Sequence, residues 1–321
     1  MKMLLTLCCQ VLLVGVLHAG DFGKFVLSCL EIPDTGRGAG LALVLQTPAG
    51  GACLYDTGCG YRENDGSWAG NHNSGRDLIA PFLKEHGITV VDTVIISHAH
   101  LDHFGGLLWL VENNVPMRKL IDPGYSFTGH SNANYTSELE LYERLREWFR
   151  ARGAYQAVHA GDKLLLDERL QVEVLSPPKQ FFTEPHPERR PKNDPPAHYL
   201  LNANSLVLRI QHGRIVFILG GDIQTEDQVK HLLPLVPREK LKCHVLIAPG
   251  HGLHSSPEFA TATRPEVTVA SVFARWGRSC SARRVYAQVG SKVYVTGLHG
   301  RVRIESDGVS YRVETQRQVV E

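Results

Sequence analysis

The segment TVIISHAHLDHFGGLLWLV, residues 93–111, constrains this chain more than any other. The apolar run at 93–96 reads as a buried strand, and 105–111 begins a helix with an apolar face. Between them stand His98, His100, Asp102 and His103, four ligand-type side chains within six residues. The cluster therefore occupies the loop at a strand's carboxyl end, where α/β folds build their ligand sites.

In an extended loop, alternation can point His98 and His100 at one metal. Asp102 and His103, after the chain turns into the helix, can point at a second. Imidazole nitrogen and carboxylate oxygen suit zinc, manganese or iron, at about 2.0–2.2 Å for zinc. Two such ions roughly 3.5–4 Å apart need further ligands from elsewhere. Two other strand ends offer them. IVFILGGD delivers Asp222 after an apolar strand, with Gly220 and Gly221 permitting close backbone approach, and VLIAPGHG delivers His251 in the same way. A lone histidine or aspartate at a strand end is ordinarily a cap or a turn residue. Three strand ends, each releasing ligand-type residues into a glycine-rich turn, are not a packing pattern.

Composition narrows the class. Lys plus Arg (34) nearly equals Asp plus Glu (33), so no global charge advertises nucleic acid or anionic lipid. With 43% apolar and 21% charged residues the chain is an ordinary globular sequence, and only its 16 histidines stand out. The opening MKMLLTLCCQVLLVGVLHAGD has a positive Lys2, an apolar core at 3–17 and small residues at 19–20. That core is shorter than the roughly 20 residues that span a bilayer. The expectation is a cleaved export signal at 1–20, with an uncleaved anchor as the alternative, and a secreted or periplasmic mature protein of residues 21–321. The mature chain would keep Cys29, Cys53, Cys59, Cys243 and Cys280. None forms a CxxC pair, and buried free thiols are expected.

Strands are expected at 25–32, 41–46, 52–55, 90–96, 120–122, 163–166, 170–175, 205–211, 215–219, 245–248, 267–273, 293–296 and 302–306. Helices are expected at 76–87, 137–152 and 224–233. The stretch at 176–199, rich in proline and charge, reads as a long surface loop. The order suggests mixed α/β structure with much antiparallel pairing and one β-rich layer per half.

SHAHLDHFGG resembles the signature of the metallo-β-lactamase fold superfamily, and LYDTG (54–58), GGD and PGHG follow in that family's order. More narrowly, the chain resembles the hydrolase domain of ComEC-type DNA-uptake competence proteins. The matching segments include DTGRGAGLALVL, AGDKLLL, VEVLSPP, NANSLVLRI, ILGGDI, VLIAPGHGLHSS and VYVTGLHGRVRI. The resemblance implies a four-layer αββα sandwich with its site where loops from both sheets meet. It implies two divalent metal ions, zinc first and manganese or iron next. His98 and His100 would hold one ion, Asp102, His103 and His251 the other, and Asp222 would bridge them. Asp56 would orient the histidine loop from behind, as carboxylates do behind metal ligands. Asn204 and Ser205 stand at positions that ComEC-like sequences fill with the same residue types.

Departures from the family pattern are equally legible. A third histidine for the first metal would fall between the HxHxDH loop and Asp222, where His130, His159, His186 and His198 lie outside any recognisable motif. PGHG replaces a PHHGS pattern, with His254, Ser255 and Ser256 displaced downstream, and RWGRSC (275–280) stands where a His-Pro motif is expected. The multi-helix channel of competence proteins has no counterpart in these residues, so the expectation is a stand-alone exported relative of the hydrolase domain.

The resemblance implies a metal-dependent hydrolase in which a hydroxide shared by two metals attacks phosphorus or carbonyl carbon. Asp102 would orient that nucleophile, and His254 or Ser255 would contact a phosphate or protonate the leaving group. The substrate class first in order is a phosphodiester, with Arg189, Arg190 and Lys192 of the proline-rich loop as candidate contacts. Glu184, Glu188 and Asp194 share that loop and favour a solvated surface instead. Lactone or β-lactam hydrolysis, and a non-catalytic exported metal-binding or interaction module, are the alternatives.

Overall fold

The computed structural model describes residues 22–34, 38–62, 68–126, 133–183 and 196–319. The expected export signal and residues 184–195 of the proline-rich loop lie outside the described residues. Three strands open the fold as an antiparallel meander: β1 (Phe25–Cys29), β2 (Ala42–Gln46) and β3 (Ala52–Thr57). A ribbon of β4 (Gly60–Arg62) and β5 (Trp68–Asn73) follows. Next, β6 (Thr93–Ile95), β7 (Leu120–Asp122) and β8 (Tyr155–Ala157) join β3 in parallel. The chain then crosses to a second sheet. There β9 (Lys163–Leu164), β10 (Leu170–Ser176), β11 (Val207–His212) and β12 (Ile215–Leu219) pair antiparallel. In the same sheet β13 (Val245–Ile247), β14 (Val267–Ala270) and β15 (Lys292–Val295) extend β12 in parallel.

The last two strands overturn the expectation of one β layer per half. β16 (Val302–Ser306) and β17 (Tyr311–Thr315) return to the first sheet, where β16 pairs antiparallel with β1. Strand pairing is a long-range choice, and the local pattern of VRIES carries no information about its partner.

The period-two pattern decides the layers. In β2, Leu43 and Leu45 point into the core between the sheets, whereas Ala42 and Val44 point to the opposite face. Phe25, Leu27 and Tyr55 of the first sheet meet Leu208, Phe217 and Ile247 of the second in that central core. The outer face of the first sheet is covered by α1 (Ala80–Glu85), α2 (Leu101–Glu112) and α3 (Ala133–Arg150), through Phe82, Phe104, Leu107, Leu145 and Phe149. Leu232, Leu241, Phe259 and Val285 cover the outer face of the second sheet. The result is the four-layer αββα sandwich.

Two local features set the site's frame. The glycine pair of HFGG lets α2 lie directly on the backbone where β3 ends and β4 begins. A Cβ at Gly105 would stand 2.2 Å from the Gly60 nitrogen, and one at Gly106 would stand 2.1 Å from the Thr57 oxygen. α3 is fastened by a buried ion pair, Arg146 Nε to Asp122 Oδ2 at 2.6 Å. Tyr142 and Tyr155 also donate to that carboxylate, at 2.7 and 2.8 Å.

Elsewhere the expected elements differ in detail. The helix expected at 76–87 is a π turn, Gly75–Ile79, leading into α1, and the one at 224–233 is likewise interrupted by a π turn, Gln228–Leu232. The loop expected to run to 199 gives way to α4 (Pro196–Ala203), which proline is suited to start because it needs no helical N–H there. Cys29, Cys53, Cys59, Cys243 and Cys280 are all buried free thiols, as expected, and burial pushes Cys29 and Cys53 up to about 12.

Candidate metal centre

The carboxyl ends of β3, β6, β12 and β13 converge on one edge of the sandwich, and each releases a polar residue there. Asp56 lies in β3, yet its φ of 54° is left-handed, which a non-glycine residue adopts only when its surroundings hold it. Its fully buried carboxylate accepts from the Ser97 nitrogen at 2.7 Å and from the Ser97 hydroxyl at 2.8 Å. The same oxygen, Oδ2, lies 2.8 Å from His103 Nδ1. Asp56 therefore ties the start of the histidine loop to the first turn of α2, and leaves His103 Nε2 pointing into the cluster.

The second strained position is His251, with φ 58° between Gly250 (56°) and Gly252 (77°). This left-handed turn after β13 swings the imidazole back over the sheet edge. His251 Nε2 stands 3.3 Å from His103 Nε2, 3.2 Å from Asp222 Oδ2 and 3.6 Å from Asp102 Oδ2. Asp222 Oδ1 lies 3.5 Å from His103 Nε2, and the Asp222 amide donates to Ser205 Oγ at 3.2 Å. His98 fills the remaining side. Its Nδ1 is 2.9 Å from Ser97 Oγ and its Nε2 is 2.7 Å from His100 Nδ1.

Two groups of three could each hold a cation: His98, His103 and Asp222, and Asp102, His103 and His251. The ligand atoms within each group lie within 4.8 Å of one another. His103 belongs to both. His100 stands beside His98, ring centroids 4.6 Å apart and edge-on, but in neither group of three. The donor set fits a metal: it is thiolate-free, buried and rich in imidazole and carboxylate. Asp222 Oδ1 is buried with no hydrogen-bond partner, a costly arrangement for a carboxylate unless a cation meets it.

The electrostatics of the cluster agree. Burial opposes a charged imidazole at His103, but Asp222, Asp56 and Asp102 outweigh it and hold the ring well above its ordinary range. Burial opposes charge at His251 too, yet Asp222 and Asp102 lift it to about 9. Asp222 itself is held well below the carboxylate range, because His251 and His103 override its burial. His98 goes the other way: burial, then the neighbouring His103 and His100, push it well below the usual histidine value. Three carboxylates around His103 make a field that attracts cations of any kind, protons included.

Other sequence candidates occupy supporting places. The Asn204 amide is committed to backbone: its Oδ1 accepts from Phe182 N at 2.9 Å, and its Nδ2 donates to Phe182 O at 2.9 Å and Leu200 O at 3.0 Å. It anchors the segment leading into the proline-rich loop. His254 is half-buried with its ring against Gly250. Ser255 is buried, and its amide donates to the Ser281 hydroxyl oxygen at 3.1 Å. His159 sits apart, its ring 5.5 Å from that of Phe181. His130 and His186, with Arg189, Arg190 and Lys192, lie outside the described residues, as does the side chain of His198.

Sequence reading overlooked three residues. Ser97 is the hinge of the Asp56 network, but a serine between an apolar run and a histidine carries no signal of its own. Tyr55 donates to Leu206 O at 2.6 Å, and Leu206 N donates to Ser97 O at 2.8 Å, so the two sheets are joined beside the site. Glu138 of α3 faces Leu101 and Asp102, and burial together with the Asp102 charge raises it to about 7. Its helical spacing gave no hint of that neighbour.

A buried cluster of histidines and aspartates, at the edge where the two sheets of an αββα sandwich meet, defines a metal-dependent hydrolase in the general sense. The chain belongs to the metallo-beta-lactamase superfamily, whose family model matches residues 35–251. It is similar to ComE operon protein 3 of Bacillus subtilis (strain 168), at 27% identity over 276 residues, covering 83% of this chain and 30% of the relative. A 70-residue stretch is 46% identical to the uncharacterized protein YcaI of Escherichia coli (strain K12), covering 22% of this chain and 8% of that one. The chain thus spans less than a third of the length of the curated relatives it matches. Among solved structures, a diphosphatase of the PhnP family aligns with TM-score 0.45 and 13% identity, over 88% of this chain and 98% of that one. No helix among the described residues is long and apolar enough to cross a membrane.

Proposed function

We propose that this protein is an exported, metal-dependent phosphodiesterase. The observation that carries the reading is the convergence of His98, Asp102, His103, Asp222 and His251 in one buried cluster. Similarity to ComEC-type competence proteins supports the phosphodiester as substrate class, and the opening MKMLLTLCCQVLLVGVLHAGD supports export.

His98 and His103 with Asp222 would hold one divalent ion, and Asp102, His103 and His251 the second, zinc being the first choice for so imidazole-rich a set. When bound, the ions supply Lewis acidity toward phosphorus and acidify water. The remaining work falls to the chain. Asp102, 18% exposed at the rim, accepts a proton from the attacking water and fixes its direction. Asp56 keeps the proton of His103 on Nδ1, so that Nε2 stays available. His254, on the same turn as His251, donates a proton to the departing oxygen. Ser205 steadies Asp222 by accepting from its backbone amide.

The test is metal analysis together with hydrolysis of bis(p-nitrophenyl) phosphate, before and after a chelator. Bound metal, turnover that the chelator abolishes, and loss of turnover in His103→Ala are expected. Undiminished activity in His103→Ala would remove the assignment to this site. Two bound ions with no turnover on any ester would favour a binding module instead.

A further inference from the structure

The near-neutral charge of the whole chain conceals a local imbalance. Residues 267–304 contain seven Lys or Arg and no Asp or Glu. Arg278, Arg283 and Arg284 from this stretch are exposed and make no ion pair among the described residues. With them stands Trp276, 40% exposed, one of the few large hydrophobic side chains at the surface. Its ring is braced rather than loose. Phe273 lies beneath it, centroids 4.5 Å apart, and the Arg275 guanidinium lies 5.2 Å from the ring centre. Arg275 is in turn fixed by Asp34, Nε to Oδ2 at 3.2 Å.

This platform adjoins the candidate metal centre on two sides. The strand that leads into it, β14, is the parallel neighbour of β13, and the turn after β13 carries His251. The Ser281 hydroxyl donates to Gly252 O at 3.0 Å, and a Cβ at Gly252 would stand 2.6 Å from Ala270 and 2.9 Å from Ala282. Residues 40 and 41 touch both the site and the end of β14. Leu41 N donates to Asp102 O at 3.2 Å, and Ser271 Oγ donates to Gly40 O at 2.8 Å. A strand of substrate leaving the metal centre toward β14 therefore meets exposed arginines and an aromatic face.

We propose that residues 273–284 form a binding platform for single-stranded nucleic acid, with Trp276 stacking a base and Arg278, Arg283 and Arg284 meeting its phosphates. The proposal rests on the phosphodiesterase reading for its biological sense, but binding is measurable without turnover. A stacking face accepts any unpaired base and is closed to a paired one, while arginines track the backbone without reading sequence. Exposed arginines on the same short segment as a braced, exposed indole match that chemistry, and a duplex leaves the indole nothing to stack on.

The test is fluorescence anisotropy of a labelled 20-nucleotide oligothymidylate with the full chain, in the presence of excess chelator so that hydrolysis plays no part. Trp276→Ala should weaken binding about tenfold, and Trp276→Phe should retain most of it. Replacing Arg278, Arg283 and Arg284 together by Gln should lower the salt slope of log affinity by about 2. Thermal midpoints of the variants within a few degrees of the parent exclude misfolding as the cause. Absence of binding by the parent protein at low salt, binding unaffected by both variants, or equal binding of a duplex would each overturn the proposal. Because the readout is affinity under chelator, oligonucleotide binding without any phosphodiester hydrolysis would sink the catalytic reading and leave the platform standing.

Discussion

Asp56→Asn isolates the role of the carboxylate behind the histidine loop. The substitution keeps the shape and the Oδ1 that accepts from Ser97 N at 2.7 Å, but places an amide where Oδ2 faces His103 Nδ1 at 2.8 Å. Two N–H donors cannot share that contact. His103 must then move its proton to Nε2, the nitrogen that faces Asp222 and His251 at 3.5 and 3.3 Å. That nitrogen loses the lone pair a metal needs, and His103 belongs to both candidate groups. Losing a carboxylate behind a metal-bound histidine costs on the order of 10- to 100-fold in affinity, or about 1.4–2.7 kcal/mol. Competition against a chromophoric chelator reads the affinity, and the thermal midpoint of the metal-depleted variant separates ligation from folding. An affinity within about twofold of the parent, with an unchanged metal-depleted midpoint, would refute the reasoning.

Two further outcomes follow from the same geometry. His103 and His251 are held above the ordinary histidine value, His251 at about 9, so a metal must displace protons to bind at neutral pH. Metal affinity should rise with pH up to about 9, with proton release visible by calorimetry in buffers of different ionisation enthalpy; an affinity flat over that window would contradict the assignment. The sign reverses for the metal-depleted fold. A histidine raised above its unfolded value of about 6.5 stabilises fully below that pH, and the contribution is lost as pH rises through about 9. The metal-depleted thermal midpoint should therefore fall across that range. Away from the site, Arg146→Met leaves Asp122 buried with only Tyr142, Tyr155 and the Gly124 amide, and should cost about 3–5 kcal/mol in urea unfolding. A loss below about 1 kcal/mol would mean that the pair contributes little to holding α3.

How far the sequence reached can be judged residue by residue. Strands such as Leu120–Asp122, Ile215–Leu219 and Val302–Ser306 were legible to the residue, because short apolar or alternating runs bounded by turns have few other ways to hide their side chains. The weak strands β8 and β17 were not, since YQA and YRVET are half-exposed edges whose extended shape is imposed by a neighbour. α4 was masked by the proline-rich composition that precedes it.

The ligand-type residues were equally legible. His98, His100, Asp102, His103, Asp222 and His251 stand out because polar side chains at the mouths of buried strands are expensive to place without a purpose. What the tertiary structure decided was their mutual distance. Parallel pairing of β12 with β13 puts Asp222 beside His251, and the join of Tyr55 and Ser97 to Leu206 brings the HxHxDH loop against both. The left-handed turns at Asp56 and His251, and the basic rim around Trp276, also belong to that level. Local composition can say which side chains carry charge or donate to a metal. Only long-range pairing, where loop-closure entropy is offset by a shared core, fixes which of them share one field.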